Sequence, residues 1–288
     1  MATPVWFITG ASNGLGLLLS LRVLAAGHKV IGTARNLEKS AEAIRSIEQA
    51  GGYVIQLDMT ETRESIIKKV QAAEKKIGDI DFLVNNAGYS VLGPIEFFTE
   101  IEAETQIRTN LFGPLYAIQA VQPGMRARRS GTIINISSVA GQDGLPSCGL
   151  YAASKFSLEG LSEVLAKEMK EFGISVLIVE PGAFRTNFLN ASTINDIPID
   201  IGYEGTVVED VVKKFESADG KQPGDPQKAV NIIFEVATGE GASGHLKGKV
   251  LRLALGKDAF IRTQGKLDSV QNDLNNCREV GTSTDIDG

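Results

Sequence analysis

Short runs of apolar, mostly β-branched residues alternate along this chain with longer stretches in which apolar positions recur at helical spacing. Val5–Thr9 precedes Leu15–Ala26, Lys29–Thr33 precedes Leu37–Ala50, and Tyr53–Leu57 precedes Glu61–Ile77. Phe82–Asn85 precedes a long helix around Glu102–Met125, and Thr132–Ile136 precedes Ala152–Phe172. Ser175–Val179 and Val250–Leu253 are two further strand runs. Strands alternating with helices imply βαβ units, a parallel sheet and right-handed crossovers. The pattern predicts an α/β fold: a Rossmann-type, doubly wound sheet of about seven mostly parallel strands with helices on both faces. No linker, repeat or low-complexity tract divides the chain, so residues 1–288 read as one domain. Two parts depart from the alternation. Residues 187–226, rich in Pro, Gly, Asp and Asn, are long for a plain connection and are predicted to form a lid over a site. Residues 256–288 are predicted as a helical tail, frayed over 281–288.

Composition excludes more than it assigns. A chain of 288 residues with 43% hydrophobic and 22% charged residues is ordinary for a globular protein with a sizeable core. The net charge of −6, with no basic stripe beyond Arg126–Arg129, argues against a nucleic-acid surface. No apolar run reaches the ~18 residues of a membrane span, and the N-terminus lacks the basic region and cleavage site of a signal peptide. The two cysteines, Cys148 and Cys277, make neither a disulfide framework nor a zinc-ligand spacing. A cytoplasmic protein without a metal is the expectation.

Chemistry concentrates in two stretches. Thr9–Gly16 reads TGASNGLG and lies between a predicted strand and a predicted helix. Its glycines permit a tight turn and close approach of backbone to a pyrophosphate, and the helix N-terminus offers free N–H groups to phosphate. The second stretch is Ser138–Lys155. Tyr151 and Lys155 are four residues apart, hence neighbours on one helix face. An ammonium beside a phenol favours the phenolate, which brings its titration nearer neutral pH and suits it to general acid–base work. A hydroxyl from another segment, Ser138, hydrogen-bonding the same substrate oxygen would complete a set for carbonyl/alcohol chemistry. A Ser–His–Asp arrangement fails, because neither His lies in a nucleophile motif. Taken alone, a Tyr–x3–Lys pair is common by chance.

With its other motifs the chain resembles the short-chain dehydrogenases/reductases, in their single-domain branch. TGASNGLG matches the family's TGxxxGxG, Asn85-Asn86-Ala87-Gly88 its NNAG, and Tyr151 with Lys155 its YxxxK. Ser138 stands thirteen residues before Tyr151, Asn110 falls in the long helix, and Pro181-Gly182 with Thr186 matches PGxxxT. The motifs follow the family's order over residues 3–255. The resemblance implies Tyr151 as general acid or base and Ser138 as the group that holds the substrate carbonyl. Lys155 would lower the Tyr pKa and bind the nicotinamide ribose. Asn110 would anchor a relay water. Neighbouring Ser137 is the possible confusion for Ser138. The implied cofactor contacts are Gly10, Ser12, Asn13, Gly14, Leu15, Gly16, Arg35, Asp58, Met59, Asn86, Ala87, Gly88, Tyr151, Lys155, Pro181, Gly182, Phe184 and Thr186. Asp58 reads equally as a helix N-cap ahead of Glu61.

The cofactor is expected to be NADP(H). NAD-specific relatives carry an acidic residue at the end of the second strand, where this chain has Ala34 followed by Arg35. An Arg suits a 2′-phosphate by charge and by its planar fork. By family position the substrate pocket draws on Tyr89, Gln142, Leu145 and Phe188, a mostly apolar lining suited to a hydrophobic ketone, aldehyde or secondary alcohol. The end of the chain is similar to the tail of steroid- and retinol-dehydrogenase-like carbonyl reductases. Two other readings stay open: an NADP(H)-binding sensor or scaffold without turnover, and a sugar-nucleotide epimerase or dehydratase. The resemblance also implies a homodimer or homotetramer, paired through the helices near Glu102–Met125 and Ala152–Phe172.

Overall fold

The structure is a computed structural model that describes residues 2–191, 193–194 and 202–286. Seven strands form its sheet: β1 (Val5–Ile8), β2 (Lys29–Ala34), β3 (Tyr53–Gln56), β4 (Phe82–Asn85), β5 (Gly131–Ile136), β6 (Ile174–Pro181) and β7 (Arg252–Leu255). Their spatial order is β3-β2-β1-β4-β5-β6-β7, and every pairing is parallel. The chain leaves β1 toward β2 and β3, then returns to β4 on the other side of β1. The order therefore reverses between β1 and β4, the crevice in which doubly wound sheets bind ligands.

The helices are α1 (Gly14–Ala25), α2 (Ala41–Gln49), α3 (Arg63–Ile77), α4 (Glu100–Ile107), α5 (Gly113–Arg128), α6 (Gly149–Met169), α7 (Val207–Ser217), α8 (Pro226–Thr238) and α9 (Lys257–Thr282). They cover both faces of the sheet, which is why β1 is buried at all four residues, VWFI. Successive side chains point to opposite faces. Val5 and Phe7 enter the core that includes Ile66, Val121, Met125 and Leu165 of α3, α5 and α6. Trp6 and Ile8 enter the one that includes Leu19 and Val23 of α1 and Val230 and Phe234 of α8.

Three departures from the predicted pattern have local causes. The long helix is broken into α4 and α5 by a π-helical turn over Arg108–Phe112, followed by Pro114 at the second position of α5. Such turns mark functional positions in helices, and this one carries Asn110. Residues 226–238 were not expected to be helical, yet α8 is a helix. Its signals are ordinary: Asp225 accepts from the N–H groups of Gln227 and Lys228, Pro226 follows at the first position, and buried Ala229, Val230, Ile233, Phe234 and Ala237 keep helical spacing. The stretch predicted as an irregular lid contains α7 and a short ribbon in which Thr193–Ile194 pairs with Val91–Leu92. Residues 195–201 of that stretch lie outside the described residues. The C-terminal tail is helical, as expected, through Thr282.

Candidate active site

In a parallel sheet all strands end at one edge, so motifs scattered through the sequence meet there. The segments following β1 to β6 carry, in order, the glycine loop, Arg35, Asp58 and Met59, Asn86–Gly88, Ser138, and Pro181–Thr186.

The glycine loop is held by its neighbours. Thr9 Oγ1 accepts from the N–H groups of Asn86 (2.9 Å) and Ala87 (3.0 Å). Asn86 Nδ2 donates to the carbonyls of Thr9 (2.9 Å) and Gly10 (3.0 Å). A Cβ on Gly16 would collide with the Gly10 carbonyl and Asn86 Nδ2, and Gly10 has φ +64° with Ala87 pressed against it. Only glycine meets both demands. Asn13 caps α1 with backbone alone, and Leu17 makes the first bond back to it, so the N–H groups of the first turn remain available to an anion. Ser12 and Leu15 flank this turn, half-buried. Thr186 overhangs the loop, 3.4 Å from where a Gly14 Cβ would stand.

Four residues follow β2 and β3 or end them at the same edge of the sheet. Ala34 is 1% exposed at the end of β2, and the residue that reaches solvent there is Arg35, which makes no ion pair among the described residues. Asp58 does not cap a helix: its Oδ1 accepts from the Thr60 N–H and hydroxyl at 2.9 and 2.8 Å. The α3 cap is Thr62, whose hydroxyl accepts from Ser65 N–H. Met59 turns its side chain into the core against Gly113. A narrow loop with free N–H groups, an uncommitted Arg and no carboxylate at Ala34 form a donor set that fits a dinucleotide.

The four residues expected to be catalytic are brought together. Ser138 hydrogen-bonds the Tyr151 phenol, and its Oγ also accepts from Ala140 N–H at 3.1 Å. Ser137 points elsewhere, donating to Glu159 Oε1 at 2.7 Å. Lys155 is 4% exposed, donates to the Ile136 carbonyl at 2.8 Å and lies 5.7 Å from the Tyr151 ring centre. Gly88 touches both partners: a Cβ there would stand 3.2 Å from Asn110 Oδ1 and 3.6 Å from Lys155 Nζ.

Two expectations about this group need correction. The Tyr151 phenol is not lowered on balance. Burial dominates and pushes it up to about 12, with the Ser138 hydrogen bond opposing. Burial likewise pushes Lys155 down to about 8, opposed by the charge of Glu159. Each group therefore loses more solvation than its neighbour restores. The Asn110 side chain is also committed. Its Nδ2 donates to the Tyr89 carbonyl and Ser154 Oγ, both at 3.0 Å, and its Oδ1 accepts from Tyr89 N–H at 3.2 Å.

On the substrate side, Phe188 packs against Tyr151 with ring centres 5.7 Å apart, and Leu145 is half-buried in the loop before α6. Pro181 ends β6, Gly182 is pressed against Asp258, and Phe184 packs on Gly224. Two residues expected at the substrate have side chains held by the protein itself. The Tyr89 phenol is hydrogen-bonded by Thr105 of α4 and feels the charge of Arg35. Gln142 Nε2 donates inward to Glu159 and to Glu180 (3.3 Å), because those buried carboxylates need donors. A cleft of about 510 Å³, lined by Pro94, Ile95, Glu96, Pro146, Ser147, Tyr203 and Val208, opens at the start of α6. None of the catalytic four lines it. Among the described residues no group of His, Cys, Asp and Glu is placed to hold a metal ion.

The sequence profile of the short chain dehydrogenase family matches residues 4–196. The chain is 38% identical over 197 residues to a 3-ketodihydrosphingosine reductase of Bacteroides thetaiotaomicron, covering 68% of this chain and 70% of that one. A crystal structure of a short-chain dehydrogenase from Streptomyces avermitilis superposes with a TM-score of 0.86 at 37% identity, covering 99% of both chains. A metagenomic short-chain oxidoreductase crystallised with NADP gives 0.59 at 34% identity, covering 63% of this chain and 83% of that one. A matched family profile over two thirds of the sequence, on a seven-stranded parallel sheet that gathers the motifs at one edge, places this chain in the short-chain dehydrogenase family of oxidoreductases.

Proposed function

We propose that this protein is an NADP(H)-dependent carbonyl reductase acting on a hydrophobic ketone or aldehyde, or in reverse on the secondary or primary alcohol. The observation that carries the reading is the contact of Ser138 with the Tyr151 phenol above a buried Lys155. A bound nicotinamide supplies or accepts the hydride. The chain's residues do the rest. Ser138 donates to the substrate oxygen and orients it. Tyr151, protonated at neutral pH because burial holds its pKa high, gives that oxygen its proton. Lys155, charged below about pH 8, stabilises the phenolate left behind and binds the ribose. Phe188 beside Tyr151 keeps water from the reacting oxygen and supports an apolar substrate. Arg35 would hold the 2′-phosphate, and Asp58 would lie beside the adenine.

The preference for a lipid-like carbonyl rests on the apolar side chains near Tyr151 and on the likeness to a reductase named for 3-ketodihydrosphingosine. The NADP preference rests on Arg35 and on the NADP-bound relative. The test is NADPH oxidation against a panel of long-chain β-keto, steroidal and retinoid carbonyls, with product identification. Turnover with at least one apolar carbonyl is expected. Tight NADPH binding with no oxidation across the panel would leave a binding protein instead. In the alcohol-oxidising direction Tyr151 must first lose its proton, so that rate is expected to rise with pH above neutrality while reduction does not.

A further inference from the structure

Behind the catalytic serine lies a cluster that the chemistry above leaves unused. Glu159 and Glu180 are 2% and 1% exposed, on α6 and at the end of β6. Arg252 of β7 bridges them, with its Nε 3.1 Å from Glu159 Oε2 and 3.1 Å from Glu180 Oε1, and its Nη2 2.5 Å from Glu163. Two side chains of the segment after β5 reach into this group. Ser137 donates to Glu159 Oε1, and Gln142 donates to Glu159 Oε2 and Glu180 Oε1. Between them, Gly141 lies so close to Glu159 Oε1 and Ser137 Oγ that any Cβ would collide. The segment carrying Ser138 is therefore folded around a buried carboxylate. From the other side, Arg262 of α9 holds Asp143 at 2.8 Å.

We propose that Glu159, Glu180 and Arg252 are positioning residues: they hold Ser137–Gln142 as one rigid turn, and through it fix the Ser138 hydroxyl against Tyr151. The inference rests on the reductase reading for its consequence in catalysis, but not for the turn itself. A buried carboxylate is stable only when paired and hydrogen-bonded, and here its donors are the turn's own side chains.

The charges explain how the cluster is held. Facing Glu180 are Glu159 from α6, Arg252 from β7 and Gln142 from the turn; Glu163 of α6 holds Nη2 of the same Arg252, and Lys155 stands one helical turn before Glu159. Three carboxylates meet one guanidinium. Burial and the neighbouring Glu159 raise Glu180 to about 8, so it keeps its proton at neutral pH and hydrogen-bonds Glu159. A carboxyl whose pKa is raised on folding contributes stability that is complete below its unfolded value, near 4.5, and lost as pH rises through about 8. Alkali should then repel Glu180 from Glu159 and loosen the turn.

Hydrogen exchange of the full-length chain, followed by mass spectrometry on the peptide spanning 137–148 and corrected for intrinsic rates, tests this without needing a substrate. Gln142→Leu removes only the link from the turn and leaves the core ions in place. It is expected to raise exchange of that peptide roughly tenfold at pH 7, with β5 and the end of α6 unchanged. Glu180→Gln mimics the protonated acid. It should match wild type at pH 7 and keep its protection at pH 9, where wild type loses it. Unchanged protection in Gln142→Leu, or equal loss at pH 9 in wild type and Glu180→Gln, overturns the proposal. Where turnover is found, Gln142→Leu should lower kcat about tenfold with the NADPH Kd unchanged. A chain without turnover that still shows these exchange differences would refute the reductase reading and leave the positioning role standing.

Discussion

On the proposed reading, Tyr151, Ser138 and Arg35 each carry a separable part of the chemistry. Tyr151→Phe keeps the ring against Phe188 and removes the transferable proton. Loss of a general acid typically lowers rate by roughly 10²–10⁴, and that is the fall in kcat expected, with NADPH binding retained. Near-normal turnover in single-turnover kinetics would remove Tyr151 from the role. Ser138→Ala should be the slower serine variant, because Ser138 bonds the phenol while Ser137 bonds Glu159. The opposite order of kcat values would exchange their roles. The same reading makes Arg35 the determinant of cofactor choice. A charge-assisted hydrogen bond is worth roughly 1.5–3 kcal/mol, but Arg35 is exposed and screened, so the low end applies. At about 1.4 kcal/mol per decade this is about tenfold. Arg35→Ala should weaken NADPH by that factor in kcat/KM and leave NADH nearly unchanged. Equal use of both cofactors by the unaltered chain would contradict the assignment. Ala34 is a poor site for the reverse experiment, since its burial would enclose an introduced carboxylate.

Among the elements, α8 is the one whose contribution the pattern of strands does not suggest. It packs on α1 and closes the second core. Phe234 is 1% exposed, stacks 5.7 Å from Trp6 and lies under the Arg22 guanidinium at 4.0 Å. Deleting such a ring leaves a cavity that its neighbours cannot fill. Phe234→Ala is expected to cost about 3–5 kcal/mol in denaturant unfolding. A loss under about 1 kcal/mol would mean that α8 is not part of the cooperative core. The π turn between α4 and α5 has a different job. It places Asn110, 1% exposed, where its amide ties the Tyr89 backbone to Ser154 of α6.

For the molecule as a whole, α6 has an inner and an outer face. Its inner face carries Tyr151, Lys155 and Glu159, while Phe156 and Val164 stand on the outer face at 42% and 52% exposure, with Phe112 nearby in sequence to α5 at 39%. Large apolar side chains on adjoining helices suit an isologous two-fold contact. Sedimentation at micromolar concentration is expected to show a dimer that Val164→Glu weakens; a monomer would end this expectation. The sequence by itself determined the sheet and its glycine loop. Apolar runs buried on both faces, helical periods and the TGASNGLG turn are local signals, and local signals survive without coordinates. The resemblance of its motifs to the family's singled out Tyr151 and Lys155, and the thirteen-residue interval chose Ser138 over Ser137. What it left open depends on distance across the fold. What holds Ser137, why Gln142 turns inward, and how high burial lifts Tyr151 are decided by β6, β7 and α6 meeting behind one loop. Desolvation and ion pairing between residues 93 positions apart, as in Glu159 and Arg252, leave no periodic trace in a sequence, because they arise only when the sheet brings the two together.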